Sequence, residues 1–561
     1  MPGIKHFMIT DRLRNISNYD QTSPTGDKEN NYWESSLDAA RKANSREHAM
    51  TASEALKLFP WAIIWSLVPS MAIVMEGYDS ALINNFFAYP PFQVQFGQYY
   101  AGKGYQVSGP WQSALGAGGD IGALFGAWMN GYLINYWGFK KVFIFGQILM
   151  CAFIFVSFFG DSVGLQVAGQ ILCGIPWGIF ATLGPAYSSE LCPMALRPYL
   201  TGAVNLFFVI GQFIVAGVLQ GLMNLGDQWS YRIPFAIQWV WPVPLLLLGC
   251  FMPESPWWHV RRGQYSEAVH IVNRLQSKPD PEMAQQSIAM MIHTNNMEKT
   301  TEQGSSYMDC FKGPNCRRTE IACMALAGQV LAGLPFAYSP TYFFEQAGLS
   351  ASNSYKLGLA GAALAFIGTS LSALAMCYFG RRNMYVGGMG LLSACLLIIG
   401  CITPAATRSK AVLWAQPVLC LVWVFVYAMT IGPIAWVIPP EVSSTRLRSK
   451  TVVLARNTYY IVIVAAEVIE PYMLNPTSWN WRGFTGLFWF GMAFLTFIWS
   501  YFRLPETKGR TFEELDLMFA ARIATKEFTH YKVDAYSEYN PRSNCDSHDE
   551  DDTQKSLGVR N

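Results

Sequence analysis

The feature that most constrains this chain is a series of about twelve apolar segments, each about as long as a membrane is thick. A helix that crosses the hydrocarbon core of a bilayer needs about 20 apolar residues. The segments are 61–88, 111–134, 142–160, 166–188, 200–222 and 233–252, then 320–344, 357–379, 384–403, 411–437, 451–473 and 483–503. Only 14% of the residues are charged, whereas a soluble domain has roughly 25%. The sequence therefore predicts an all-α membrane protein with about twelve transmembrane helices.

Polar stretches divide the chain into five predicted parts. They are a mobile N-terminal tail (1–59), a six-helix bundle (60–253), a linker with short helices (254–317), a second six-helix bundle (318–504) and a C-terminal tail (505–561). Basic residues accumulate in alternate loops, which is typical of loops on the cytoplasmic side. These loops and the polar linker lie on the same side, so both termini are predicted to be cytoplasmic.

The two bundles repeat each other's loop motifs. Glycine followed by basic residues closes the second span at Gly138 and the eighth at Gly380. Pro-Glu follows the sixth span at 253–254 and the twelfth at 505–506. Repeated halves of this kind hold a substrate between them near the bilayer midplane and alternate its access by rocking. The repeat therefore favours a transporter.

Several motifs carry a family resemblance over roughly residues 60–515. They are Pro-Glu-Ser-Pro at 253–256, Pro-Glu-Thr-Lys-Gly-Arg at 505–510, Tyr-Ser-Ser-Glu at 187–190 and Gly-Pro-Ile-Ala-Trp at 432–436. In this order and spacing they resemble the sugar porter branch of the major facilitator superfamily. That resemblance implies a major facilitator fold of two six-helix repeats with a cytoplasmic helical linker.

Within that branch the chain is most similar to the fungal maltose (α-glucoside) permeases. The matching segments are Met-Glu-Gly-Tyr-Asp at 75–79, Gly-Gln-Ile-Leu-Cys-Gly-Ile-Pro-Trp-Gly at 169–178, Gln-Trp-Val-Trp-Pro at 238–242 and Leu-Ala-Arg-Asn at 454–457. The resemblance implies proton-coupled uptake of a maltose-like sugar across the plasma membrane. The chain departs from the family where Gln170 replaces the arginine that many proton-coupled sugar porters place opposite a first-span aspartate. Asn135 also stands where the family usually has an acidic residue in the loop after span two, and Cys377 is at the repeat position after span eight.

Ionisable residues inside the spans are the candidates for proton coupling, because charges within a membrane are costly and usually functional. Glu76 and Asp79 are three residues apart and share a helix face. Asp120 lies about 14 Å into the second span at 1.5 Å per residue. All three carboxylates are expected to converge in the outer half of the bundle, where burial and mutual repulsion favour proton binding.

Arg456 is the candidate counter-charge. It lies six residues after Lys450, about 9 Å along a helix, so its side chain could instead extend to the cytoplasmic surface. Glu467 and Glu470 follow on a similar face but too far along the axis to pair with it. The hypothesis is that Arg456 responds indirectly to protonation of the carboxylates.

A sugar site needs amides for paired hydrogen bonds and an aromatic ring to stack on. Asn205 and Gln212 lie two turns apart on the fifth span. The resemblance implies that Gln329 is a sugar-binding glutamine and Trp436 the stacking tryptophan. Tyr338 is a further candidate. The alternative is that the amides join helices and the aromatic residues lie at the membrane interface.

Charged residues at the cytoplasmic ends of the helices are the candidates for gating. Basic residues near Gly138 and Gly380 are expected to pair with nearby glutamates and to hold the outward-open state. The predicted gating residues are Glu190, Arg197, Glu254, Arg381, Arg382, Glu441 and Glu506. Glycines 122, 126, 174 and 178 are instead typical of close helix packing.

The leading interpretation is a proton–α-glucoside symporter that acts as a monomeric unit in the plasma membrane. Its partners are a small sugar and the lipid bilayer, with the proton as coupling ion. A passive carrier of hexoses or polyols and a sugar sensor that does not transport remain alternatives. A formal net charge of +2 gives no indication of nucleic-acid binding. Neither a nucleophile–base set nor a metal or cofactor motif is present in the sequence, so no enzymatic activity is expected.

Overall fold

The computed structural model describes residues 26–87, 89–100, 104–222, 228–301, 306–337, 351–406, 410–444, 446–474, 479, 481–529 and 531. These residues are largely helical, as predicted. A short hairpin pairs Gln98–Tyr100 (β1) with Gly104–Gln106 (β2) in antiparallel register.

Eleven helical segments among the described residues are long and apolar enough to cross a membrane. The remaining predicted span, 111–134, lies in the 29-residue helix Gly109–Trp137. That helix is less apolar because it contains Asp120 and several glycines. Together they account for the predicted set of about twelve.

The tail and the N-terminal half contain eleven helices among the described residues. They are α1 (Gly26–Ala49), α2 (Ala52–Leu58), α3 (Pro60–Met71), α4 (Ile73–Phe86), α5 (Pro90–Phe96), α6 (Gly109–Trp137), α7 (Phe139–Phe159), α8 (Val163–Leu191), α9 (Arg197–Leu222), α10 (Trp229–Ile237) and α11 (Pro242–Phe251). A 3₁₀ turn, Gln238–Val240, joins α10 to α11.

The linker, the C-terminal half and the segment after it contain twelve more in the residues that the structure describes. They are α12 (Pro256–Arg261), α13 (Tyr265–Leu275), α14 (Pro281–Thr301), α15 (Gly313–Leu331), α16 (Leu334–Ala337), α17 (Ala351–Tyr378), α18 (Arg381–Ala406), α19 (Lys410–Met429), α20 (Ile431–Val442), α21 (Arg448–Leu474), α22 (Thr485–Arg503) and α23 (Phe512–Ala520). Further 3₁₀ turns are Tyr307–Phe311, Arg482–Phe484 and Thr525–Thr529.

Besides the sixth span, which the 3₁₀ turn Gln238–Val240 interrupts, three of the spans that the structure describes are broken rather than continuous. The first divides at Ala72, whose N–H bonds to Pro69 and Ser70 in a tighter turn than an α-helix makes. The seventh divides after Leu331 at Gly333, which has a φ of +95° that side chains other than glycine adopt with strain. The tenth divides at Thr430. Broken helices at such depth leave backbone groups free to line a binding site.

The sequence repeat corresponds to the same local structure in both halves. Glu254 accepts hydrogen bonds from the first backbone N–H groups of α7, at Phe139 and Lys140. Glu506 does the same at the start of α18. A carboxylate is favourable at a helix N-terminus, where N–H groups lack partners within the helix. In each half, therefore, the glutamate that follows the last span caps the start of a helix earlier in the same half.

The N-terminal tail differs from its prediction. Residues 38–58 are not a mobile segment, since Ala40 and Ala43 pack against Met290 of α14. His48 Nε2 lies 3.2 Å from the Glu514 carboxylate of α23, and the hydrogen bond to that carboxylate raises the pKa of His48. The polar composition that suggested mobility reflects a helix that packs on the linker through small residues.

Candidate functional site

The centre of the candidate site is an ion pair that joins the two halves. Glu76 on α4 accepts from the Arg456 guanidinium on α21, and the Tyr460 hydroxyl donates to the same carboxylate oxygen at 3.2 Å. Arg456 is 1% exposed and Glu76 is 5% exposed. The structure contradicts both expectations for Arg456, since its side chain neither reaches the cytoplasmic surface nor acts at a distance from the carboxylates.

Aromatic rings surround the guanidinium of Arg456. Its central carbon lies 4.1 Å from the ring centre of Tyr459 and 4.5 Å from those of Trp436 and Tyr460. Cation–π contacts of this kind stabilise a charge that has been removed from water. The site can therefore hold the guanidinium charged even when its carboxylate partner changes state.

Asp79 has different partners from Glu76, although both lie on α4. The Gln238 amide donates to the Asp79 carboxylate from the turn between α10 and α11. The Gln170 amide of α8 approaches the same carboxylate. The predicted convergence of three carboxylates is therefore wrong for Asp79, which instead accepts from a neutral amide of its own half.

Asp120 on α6 does lie near Glu76, and it interacts electrostatically with both Glu76 and Arg456. Its carboxyl group interacts with that of Glu467 on α21. The sequence places Glu467 near the outer end of its span without a partner. Helical spacing gave no signal for this contact, because it joins helices from opposite halves.

The predicted sugar-binding amides lie at a second contact between the halves. Gln329 of α15 donates to the Gly432 carbonyl at 2.8 Å. Asn205 of α9 donates to the Thr369 hydroxyl at 3.2 Å and lies against Gly432. Asn205 thus reaches from the N-terminal half to α17 and α20 of the C-terminal half, beside the break at Thr430.

The remaining sugar candidates are placed differently. Trp436 is buried, with the Arg456 guanidinium over its ring, so it connects the amide region to the ion pair. Gln212 is half-buried on α9. Tyr338 lies outside the described residues. The roles of all three in binding a sugar stay predictions.

Two predicted gating residues have partners outside their own half. The Glu190 carboxylate accepts from Arg261 at 3.0 Å and lies 3.9 Å from Arg448 Nη1 of α21. The Arg197 guanidinium lies 3.6 Å above the ring of Phe512. These contacts join the N-terminal half to the linker, to α21 and to α23.

The other predicted gating residues have partners within their own half. Arg381 pairs with Glu441 as predicted, at 3.3 Å. The predicted ion pairs of Glu254 and Glu506 are wrong, because both carboxylates accept from backbone N–H groups. Arg382 donates instead to the Tyr501 carbonyl at 2.7 Å. These four contacts can hold helix ends in place but do not join the halves.

Fold and site together define a multi-pass membrane transporter with two repeated halves. A solved structure of the proton:xylose symporter XylE, bound to 6-bromo-6-deoxy-D-glucose, matches 82% of this chain and 99% of its own, with a TM-score of 0.72 at 22% identity. A partially occluded, inward-open form of XylE from E. coli matches with a TM-score of 0.63 at 20% identity. These matches establish the major facilitator fold.

Sequence comparison identifies the family. The family model "Sugar (and other) transporter" matches residues 65–519. Maltose permease MAL31 of Saccharomyces cerevisiae is 35% identical over 505 residues, which cover 89% of this chain and 82% of that protein. Alpha-glucosides permease MPH3 of S. cerevisiae strain YJM789 is 36% identical over 508 residues, with coverages of 89% and 84%. The chain belongs to the sugar transporter family.

Proposed function

We propose that this protein takes up an α-glucoside, a maltose-like di- or oligosaccharide, together with protons across the plasma membrane by alternating access. The Glu76–Arg456 ion pair between the halves is the observation that carries the proposal. Similarity to the yeast maltose and α-glucoside permeases supports the substrate class. Both termini are proposed to be cytoplasmic, and the monomer to be the transporting unit. The protein is proposed to need no cofactor and to catalyse no reaction.

In this mechanism a proton from outside binds the Glu76 carboxylate. Its negative charge is neutralised, so the electrostatic attraction to Arg456 is lost while the charge on Arg456 stays. Arg456 keeps its aromatic contacts within the C-terminal half, with Trp436, Tyr459 and Tyr460. The halves are then free to rock. Release of the proton to the cytoplasm restores the pair, because an unpaired buried charge costs about 3–5 kcal/mol.

Sugar enters the same cycle through the amide contacts. Gln329 donates to the Gly432 carbonyl, and the Asn205 side chain lies against Gly432. A sugar hydroxyl can take the place of hydrogen bonds of this kind. Trp436 lies between this region and Arg456. Sugar occupancy and the state of the ion pair therefore act on the same tryptophan, which couples the two binding events.

Sugar-induced proton influx tests the proposed function. Cells without their own sugar transporters express the protein, and a panel of α-glucosides and hexoses is added to a weakly buffered suspension. The proposal expects alkalinisation of the medium on addition of at least one α-glucoside. Uptake of radiolabelled sugar without proton movement would identify a passive carrier. Binding without any uptake would identify a sensor.

A further inference from the structure

Glu467 takes no part in the mechanism above, yet it lies at the boundary between the halves. It is on α21 of the C-terminal half, and its carboxyl group interacts with that of Asp120 on α6 of the N-terminal half. The two helices pack along each other at this point. A methyl group at Gly116, one turn before Asp120 on α6, would lie 3.6 Å from Glu467 Oε2. The carboxyl group of Glu467 therefore lies against the face of α6 that carries Asp120.

Chemistry restricts what two carboxyl groups in contact can be. An ionised carboxylate only accepts hydrogen bonds, so a hydrogen bond between two carboxyl groups requires that one of them hold a proton. Oε2 of Glu467 has no hydrogen-bond partner in the part of the chain that the structure describes. Asp120 is the carboxyl group that interacts with Glu467, so a hydrogen bond between these two groups needs a proton on one of them.

The charges around Asp120 and Glu467 also favour a proton on this pair. Glu76 on α4 faces Asp120 and adds a further carboxylate. Arg456 also acts on Asp120, but Glu76 already binds its guanidinium. Tyr459, on the same helix as Glu467, faces these carboxylates as well. One guanidinium therefore faces three carboxyl groups, so their net charge is −2 when all three are ionised, and one proton between Asp120 and Glu467 reduces it to −1 while Glu76 stays paired with Arg456.

We propose that Asp120 and Glu467 share one transported proton, and that Glu467 is the residue that holds this proton between the halves. The proton comes from the external medium, lies between the two carboxyl groups and leaves to the cytoplasm. Without it, two carboxylates on opposite halves repel each other and oppose close approach of α6 and α21. This proposal rests on the proposed proton-coupled uptake.

The test is the external pH dependence of sugar uptake by the Glu467→Gln variant. The amide keeps the shape and can donate to Asp120, but it removes the second carboxylate that favours proton binding. Two carboxyl groups that interact strongly lose their protons in two steps, at pH values about one unit or more apart. Half-maximal uptake is therefore expected at about one unit lower pH, a roughly tenfold higher proton concentration. Glu467→Asp keeps an acid and should restore much of the normal profile.

Glu470→Gln is the matched control. Glu470 lies one turn further along the same helix, and its carboxylate accepts from the Trp489 indole at 2.8 Å within the same half. An amide oxygen can still accept that bond, so the pH profile of this variant should match the unsubstituted protein. Surface expression and sugar counterflow, which needs no net proton movement, show that each variant is folded.

Three results distinguish the outcomes. A pH profile of Glu467→Gln that coincides with that of the unsubstituted protein overturns the shared proton. Equal shifts in Glu467→Gln and Glu470→Gln also overturn it, because the effect would not depend on Asp120. Uptake by the unsubstituted protein that does not depend on pH contradicts the proposed function itself.

Discussion

Substitution of Gly126 by alanine should destabilise the N-terminal half, because α6 and α8 meet there without space for a side chain. A Cβ at Gly126 would lie 1.9 Å from the carbonyl oxygen of Ile175, and a Cβ at Gly178 would lie 1.9 Å from that of Ala123. Carbon–oxygen contacts between helices normally measure about 3.3 Å or more, so the helices must separate by more than about 1 Å. The obstructing atoms are backbone and cannot rotate away.

The expected cost is that of overpacking, about 2 kcal/mol. For a unit of the size of one half, 1 kcal/mol corresponds to about 2–4 °C, so the melting temperature should fall by about 4–8 °C. Thermal unfolding of the protein purified in detergent measures this change. Since α6 carries Asp120 and α8 carries Gln170, transport should fall as well.

Gly217→Ala is the matched control, because a Cβ at this position in α9 meets no atom within 4 Å. Alanine is the better helix former, so its melting temperature should be unchanged or slightly higher. If Gly126→Ala melts no lower than Gly217→Ala, the close approach of α6 and α8 is not what the structure indicates.

Three further predictions concern the sugar site, the tail and the C-terminal half. Gln329→Ala should raise the apparent KM for sugar several-fold at normal surface expression, and unchanged uptake kinetics would remove Gln329 from the site. Because the carboxylate of Glu514 raises the pKa of His48, their contact should stabilise the protein below pH about 6.5 and lose this effect as pH rises through the raised pKa. His48→Ala should therefore reduce the melting temperature more at pH 6 than at pH 8, and an equal reduction at both would refute the pairing. Glu506→Ala removes the acceptor for the first N–H groups of α18 and should cost about 1–2 kcal/mol, like loss of a helix cap, whereas Glu506→Gln should retain part of that stability in thermal unfolding.

The apolar segments and repeated motifs predict the architecture because length and hydropathy are local properties. A span needs a run of apolar residues, and the Gly138 and Gly380 motifs follow directly from the need to satisfy helix ends. The breaks at Ala72 and Thr430 are not predicted, since each depends on how neighbouring helices pack. The packing of the N-terminal tail is not predicted for the same reason, because its buried alanines contact a linker helix.

The candidate site was predictable in its residues but not in its contacts. Buried charges stand out in apolar segments, which identifies Glu76, Asp120 and Arg456. Spacing along one helix cannot show that Glu76 and Arg456 meet, because they are 380 residues apart in the chain. Spacing also predicts the wrong partners for Asp79 and no partner for Glu467, because both contacts depend on which helices face each other.

The most direct test of the account compares sugar accumulation and sugar counterflow in the Glu76→Gln variant. Counterflow measures the exchange of sugar across the membrane, in which sugar is bound both when the transporter moves inward and when it returns. Accumulation, in contrast, needs the proton gradient. The account predicts that the amide, which cannot release a proton, retains counterflow but abolishes accumulation and sugar-induced proton influx. A Glu76→Gln protein that accumulates sugar against its gradient with normal proton influx would contradict the coupling role of the Glu76–Arg456 pair.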